Sequence, residues 1–121
     1  MLKKILVVDD EPDAVKMMEM RLSHEGYEVL KAYDGAEAVK IARKERPDLI
    51  LLDILMPVMD GAETAAKLRE LPETKNIPVI FITCLFTKED AMQETVRGGT
   101  LFVSKPYDAE ELSRIIRENI S

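Results

Sequence analysis

The chain has 121 residues, 46% hydrophobic and 33% charged, which suits one folded domain with a single core and excludes a disordered segment. Its formal net charge of -6 and pI of about 4.9 exclude a broad basic surface for direct nucleic-acid binding. No apolar run is long enough to cross a bilayer, residues 1–30 carry no signal-peptide pattern, and the one cysteine, Cys84, cannot form an internal disulfide, which together fit a cytoplasmic protein.

Five short apolar runs alternate with segments of helical period. The first run, Lys4–Val8, precedes a helix with Pro12 in its first turn, a buried face of Val15, Met18 and Leu22, and Gly26 at its end. The second, Glu28–Ala32, carries Glu28 and Lys31 and reads as an edge strand. Asp34-x-x-Glu37 then opens a helix with Val39 and Ala42 inward, stopped by Pro47. The third run, Leu49–Leu52, is followed by Asp60-x-x-Glu63 and a helix with Ala65 and Leu68 inward, punctuated by Pro72. After the fourth, Val79–Ile82, Thr87-x-x-Asp90 opens a helix marked by Ala91 with Thr95 and Met92 with Val96, ended by Gly98-Gly99. The fifth, Leu101–Ser104, leads through Asp108-x-x-Glu111 to a last helix with Leu112, Ile115, Ile116 and Ile120 inward.

Strand–helix alternation predicts five βα units in one α/β domain spanning residues 1–121. Parallel strands need crossover helices, and those crossovers are right-handed. The first and third runs are the more apolar and belong in the centre, which predicts a doubly wound parallel sheet of order 2-1-3-4-5 with a switch point between strands one and three. Sites in such sheets form at the carboxyl ends of the strands. There the first run delivers Asp9 and Asp10, the third Asp53, the fourth Thr83 and the fifth Lys105 before Pro106. Two unit charges ~4 Å apart at an effective dielectric of 20 interact by about 4 kcal/mol, so three ionised carboxylates there repel unless a cation joins them. Oxygen-only ligands suit a hard ion such as Mg²⁺. A carboxylate beside such an ion can attack phosphorus to form an acyl phosphate, while an ammonium and a hydroxyl hold phosphoryl oxygens.

Val7-Val8-Asp9-Asp10-Glu11-Pro12, Asp53-Ile54-Leu55-Met56-Pro57-Val58-Met59-Asp60-Gly61, Thr83 and Lys105-Pro106 resemble the response-regulator receiver domain of two-component signalling. The likeness runs over essentially the whole chain, and the combination in this order is specific where each piece alone is not. It implies the flavodoxin-like (βα)5 three-layer sandwich. It implies that Asp53 is the phosphoacceptor, fed by a histidine-kinase phosphohistidine, a histidine-phosphotransfer protein or a small donor such as acetyl phosphate. Asp9, Asp10, Asp53 and the backbone carbonyl of Leu55 would hold Mg²⁺, Lys105 would pair with the aspartate and then the phosphate, and Thr83 would close on the phosphoryl group. Phe102, three residues before Lys105, matches the aromatic switch position. On this reading the protein is no turnover enzyme but a phosphoacceptor that catalyses its own phosphoryl transfer and slow self-dephosphorylation. It would act as a stand-alone receiver of the chemotaxis or sporulation-relay type, or as a receiver cut from an output domain. Its signal would pass through the surface of the fourth helical segment, the fifth strand and the last helix to a protein target, and the family also allows phosphorylation-dependent dimers.

Some positions depart from the family pattern. Leu55 and Leu85 flank the phosphoryl group and should fail to orient a hydrolytic water, which predicts a persistent phosphoryl group. Cys84 replaces a smaller gating residue, and Gly98-Gly99-Thr100 replaces the usual Gly-Ala. Competing readings fit less well. A haloacid-dehalogenase-type phosphohydrolase needs an acid two residues after its nucleophile, where this chain has Leu55. A flavodoxin-like cofactor binder needs a Ser/Thr/Gly-rich phosphate loop, where this chain has Asp9-Asp10-Glu11. A pseudo-receiver that only binds a partner would not need all five site residues.

Overall fold

A computed structural model describes residues 2–53, 61–83, 101–104 and 109–120. The strands are β1 (Lys4–Val8), β2 (Glu28–Ala32), β3 (Leu49–Asp53), β4 (Val79–Thr83) and β5 (Leu101–Ser104). All pair in parallel in the order β2-β1-β3-β4-β5, as the alternation of runs predicts. Four helices are described: α1 (Pro12–His24), α2 (Gly35–Glu45), α3 (Gly61–Glu70) and a C-terminal helix, α4 (Ala109–Asn119). The helical segment expected around Ala91–Val96 lies outside the described residues.

Alternation along the strands builds two cores. Ile5, Val7, Leu49, Leu51, Ile80 and Ile82 pack with Val15, Met18 and Leu22 of α1 and Leu112, Ile115 and Ile116 of α4. Their neighbours Leu6, Val8, Ile50, Leu52, Val79 and Phe81 pack with Ala38 and Ala42 of α2 and Ala65 and Leu68 of α3. Successive strand residues point to opposite faces, so a strand covered on both sides must be apolar throughout. Among the described residues β2 meets one neighbouring strand, and its Glu28 and Lys31 are exposed.

Local chemistry sets the element ends. Pro12 opens α1 at its first turn, and Gly26 follows the helix at φ +95, the left-handed region that favours glycine. Asp34 accepts a 2.8 Å hydrogen bond from the Glu37 N–H, so the expected capping residue acts as one. α2 presents Gly35, Ala38 and Ala42 to the sheet, with Val39 half-buried beside them. Small residues, not Val39, therefore make its closest approach. Arg46 ends α2 in the left-handed region at φ 48. Asp48 then clamps two central strands together. Its carboxylate accepts from the Lys4 N–H at 2.8 Å, and its own N–H donates to the Lys4 carbonyl at 2.8 Å. This reciprocal pair sits at the start of the β1–β3 ladder and holds its register. Replacing Asp48 with alanine should lower stability by about 1–2 kcal/mol in urea unfolding, because it orphans a backbone donor next to the core.

The edge strand is tied down by charge. Lys31 Nζ lies 3.1 Å from Glu19 Oε2 of α1. This hydrogen-bonded partner and its charge hold the Lys31 ammonium above its ordinary value of 10.5. A raised value means that the contribution is fully present below the unfolded-state value and disappears as pH rises through the folded-state one. The stability gap between wild type and Lys31→Met should therefore stay constant from neutral pH to 10.5 and close above it, as followed by urea unfolding at each pH.

Candidate functional site

The carboxyl ends of four adjacent strands lie side by side. Val8 of β1 pairs with Leu52 of β3, so the next residues, Asp9 and Asp53, stand level on neighbouring strands. Neighbouring strands run about 4.8 Å apart, close enough for both carboxylates to serve one cation. Asp53 pairs in turn with Ile82 of β4, and Thr83 pairs with Ser104 of β5. Asp53 and Thr83 are thus the last residues of their ladders, one residue further than the apolar runs alone would carry the strands. Ser104 ends β5, and Lys105 follows it in sequence. The sheet order places the acid pair, Asp53 and Thr83 on three successive strands, and the fourth ends one residue before Lys105.

Asp9 and Asp10 differ in environment although they adjoin. Asp9 is 9% exposed, and its Oδ1 accepts from the Glu11 N–H at 3.0 Å. The Asp9 N–H donates to the Ala32 carbonyl at 3.2 Å, which continues the β1–β2 ladder one step past Val8. Asp9 is therefore fixed at both backbone and side chain. Asp10 is exposed. Neither carboxylate caps α1, whose capping position is Glu11 with no side-chain hydrogen bond. The role of the Glu11 backbone in orienting Asp9 was not foreseen in the sequence, where Glu11 reads only as one more acid.

Among the described residues, no three His, Cys, Asp or Glu side chains form a metal-binding group. Lys105, Leu55 and the side chains of Asp53, Thr83 and Phe102 lie outside the described residues, as do Cys84, Leu85 and Gly98-Gly99-Thr100. The donor chemistry still fits a hard divalent ion. The acids at this edge offer only oxygen, one carboxylate is exposed, and a second is held beside it in a fixed orientation. No described helix is long and apolar enough to cross a membrane.

Removing the two acids should have opposite effects on the metal-free protein. Asp9→Ala loses the acceptor for the Glu11 N–H and should cost about 1 kcal/mol. Asp10→Asn relieves like-charge repulsion and should raise stability by about 0.5 kcal/mol at low salt, an effect that added salt removes. Thermal unfolding of both variants at low and high ionic strength checks the two signs.

A model of the response regulator receiver domain matches residues 5–117. The chain is 44% identical over 105 residues to the response regulator PleD of Caulobacter vibrioides, covering 87% of this chain and 23% of that protein. It is 39% identical over 108 residues to the probable transcriptional regulatory protein TcrX of Mycobacterium tuberculosis, covering 89% of this chain and 45% of that one. The chain thus spans less than half the length of these curated relatives. Among solved structures, the chemotaxis protein CheY4 of Vibrio cholerae superposes with a TM-score of 0.86 at 32% identity, covering 99% of this chain and 100% of that one. The receiver domain of the sensor histidine kinase PA1611 of Pseudomonas aeruginosa superposes with a TM-score of 0.84 at 30% identity, covering 98% of each, and that structure has a magnesium ion coordinated in its active-site cleft.

Proposed function

The chain belongs to the response regulator receiver domain family, and from that premise we propose that it is a phosphorylatable switch whose acceptor is Asp53. The observation that carries this reading is the succession of strand ends, with Asp9 level with Asp53 and Thr83 on the next strand. In the transfer, an Asp53 carboxylate oxygen forms a bond to phosphorus. The bond from phosphorus to the donor breaks, leaving a histidine imidazole when the donor is a phosphohistidine. The product is an acyl phosphate on Asp53. Lys105 pairs first with the carboxylate and then with a phosphoryl oxygen, and the Thr83 hydroxyl donates a hydrogen bond to another. Asp9, Asp10, Asp53 and the Leu55 carbonyl are the residues that would hold Mg²⁺, which when bound supplies charge neutralisation at the phosphoryl oxygens. Of the acid pair, the exposed Asp10 would be the direct ligand, and Asp9, held by the Glu11 N–H, would support it.

The donor partner is a sensor histidine kinase or a histidine-phosphotransfer protein. Phosphorylation then changes the surface built by β5, α4 and the segment before β5, with Thr83 and Phe102 as its switch residues. A downstream protein or an attached output domain reads that surface. The switch requires two conformations that the phosphoryl group biases differently. Because Leu55 and Leu85 are apolar, the phosphoryl group outlasts that of relatives with polar residues at those positions.

Intact mass after incubation with acetyl phosphate and Mg²⁺ tests the reading. The expected result is a gain of one phosphoryl group, absent in Asp53→Asn and absent with EDTA, and persisting after the donor is removed. An adduct that survives in Asp53→Asn would sink the assignment of the acceptor, and rapid Mg²⁺-dependent loss would sink the role given to the two leucines.

A further inference from the structure

The outer edge of the sheet carries a second feature, independent of the phosphoryl chemistry. A groove of about 530 Å³ is lined by Val29, Leu30 and Lys31 of β2 and by Lys40, Ile41 and Lys44 of α2, among others. Consecutive strand residues point to opposite faces, so a groove touched by three in a row must run along the edge of the strand. β2 pairs only with β1, and its outer edge has no partner strand among the described residues. Charged side chains usually blunt such edges. Here Lys31 is turned onto Glu19 of α1 at 3.1 Å, and Glu28 is 4.0 Å from Lys4 of the neighbouring strand. Lys31, which borders the groove, is thereby paired with Glu19, and Glu28 with Lys4, so both charges of β2 already have partners.

The helix bordering the groove supplies a matching charge repeat. Lys40 and Lys44 are exposed, one turn apart, and neither has an ion-pair partner among the described residues. Four helical residues rise about 6 Å. Alternate residues of an extended chain repeat at about 6.6 Å. Acids at every second position of an added strand would therefore meet both lysines. Of the acids that also border the groove, Glu45 is held 3.8 Å from Lys4, and Glu37 lies three residues before Lys40 in the first turn of α2. The stretch beside Lys40 and Lys44 is thus the cationic part.

We propose that the outer edge of β2 accepts an extended segment of a partner polypeptide, with alternating apolar and acidic side chains. Backbone hydrogen bonds to β2 hold the segment. Its acids, all on one face of the added strand, meet Lys40 and Lys44 on the α2 side, and its apolar side chains point to the opposite, α1 side beside Val29. Main-chain pairing would supply affinity and the lysine repeat would select for acid.

A capped hexapeptide of alternating valine and glutamate, titrated into the isotope-labelled full chain, tests this by amide chemical shifts. The expected result is saturable shifts confined to residues 28–32 and α2. A peptide with N-methylated backbone nitrogens or with lysine in place of glutamate should give none. Lys40→Glu combined with Lys44→Glu should weaken binding about tenfold. The lysine-containing peptide tests the charge requirement without altering the protein, should the double variant fail to fold. No saturable shift, shifts centred elsewhere, or equal binding of the N-methylated peptide would overturn the proposal.

Discussion

Every described strand of this sheet runs in the same direction, so every strand ends at the same edge. That constraint governs the rest of the molecule. Parallel pairing forces each connection to cross the sheet through a helix, and the helices cover both faces. Covered strands must be apolar along their whole length, which confines their charged residues to the ends. Asp9 and Asp10 after β1, Asp53 ending β3 and Thr83 ending β4 thus collect at one edge, because the interior excludes polar groups along the strands. The Asp48–Lys4 clamp fixes the register between β1 and β3 at the opposite end, and so sets which side chains stand level at the site.

The site is electrostatically unfavourable on its own. Asp9 and Asp10 adjoin on one strand end, and Asp53 ends the next. Folding brings these acids together only because the apolar strands behind them are buried; Leu6, Ile50, Leu52 and Leu49 are all fully buried. The core therefore holds like charges in proximity, and a cation held there would relieve the repulsion. The Glu11 N–H holds the Asp9 carboxylate in a fixed orientation, which would lower the entropy lost on binding a cation.

Much of this architecture was legible in the sequence because the signals were local and strong. The runs at Lys4–Val8, Glu28–Ala32 and Leu101–Ser104 became strands with those bounds, and Val15, Met18 and Leu22 became the inner face of α1. The extra residues in β3 and β4 were not legible, because Asp53 and Thr83 join the ladder through cross-strand pairing that apolar content does not reveal. Ala38 was overlooked for a similar reason. A small side chain gives little hydrophobic signal, yet it is fully buried where α2 meets the sheet. The different surroundings of Asp9 and Asp10 depend on a backbone donor, which carries no side-chain signature. The Asp48 clamp joins residues 44 positions apart, a separation that no local pattern encodes.

The division of the core into two halves has a consequence for how such a domain can diversify. Neighbouring residues on a central strand belong to different cores, so a change at Leu51 is felt under α1 and α4 and a change at Leu52 under α2 and α3. Each half can drift and compensate among its own members with little reference to the other. The acids at the strand ends belong to neither half. Descendants of one ancestral scaffold could therefore acquire new helix surfaces, and with them new associations, while inheriting the same edge chemistry unchanged.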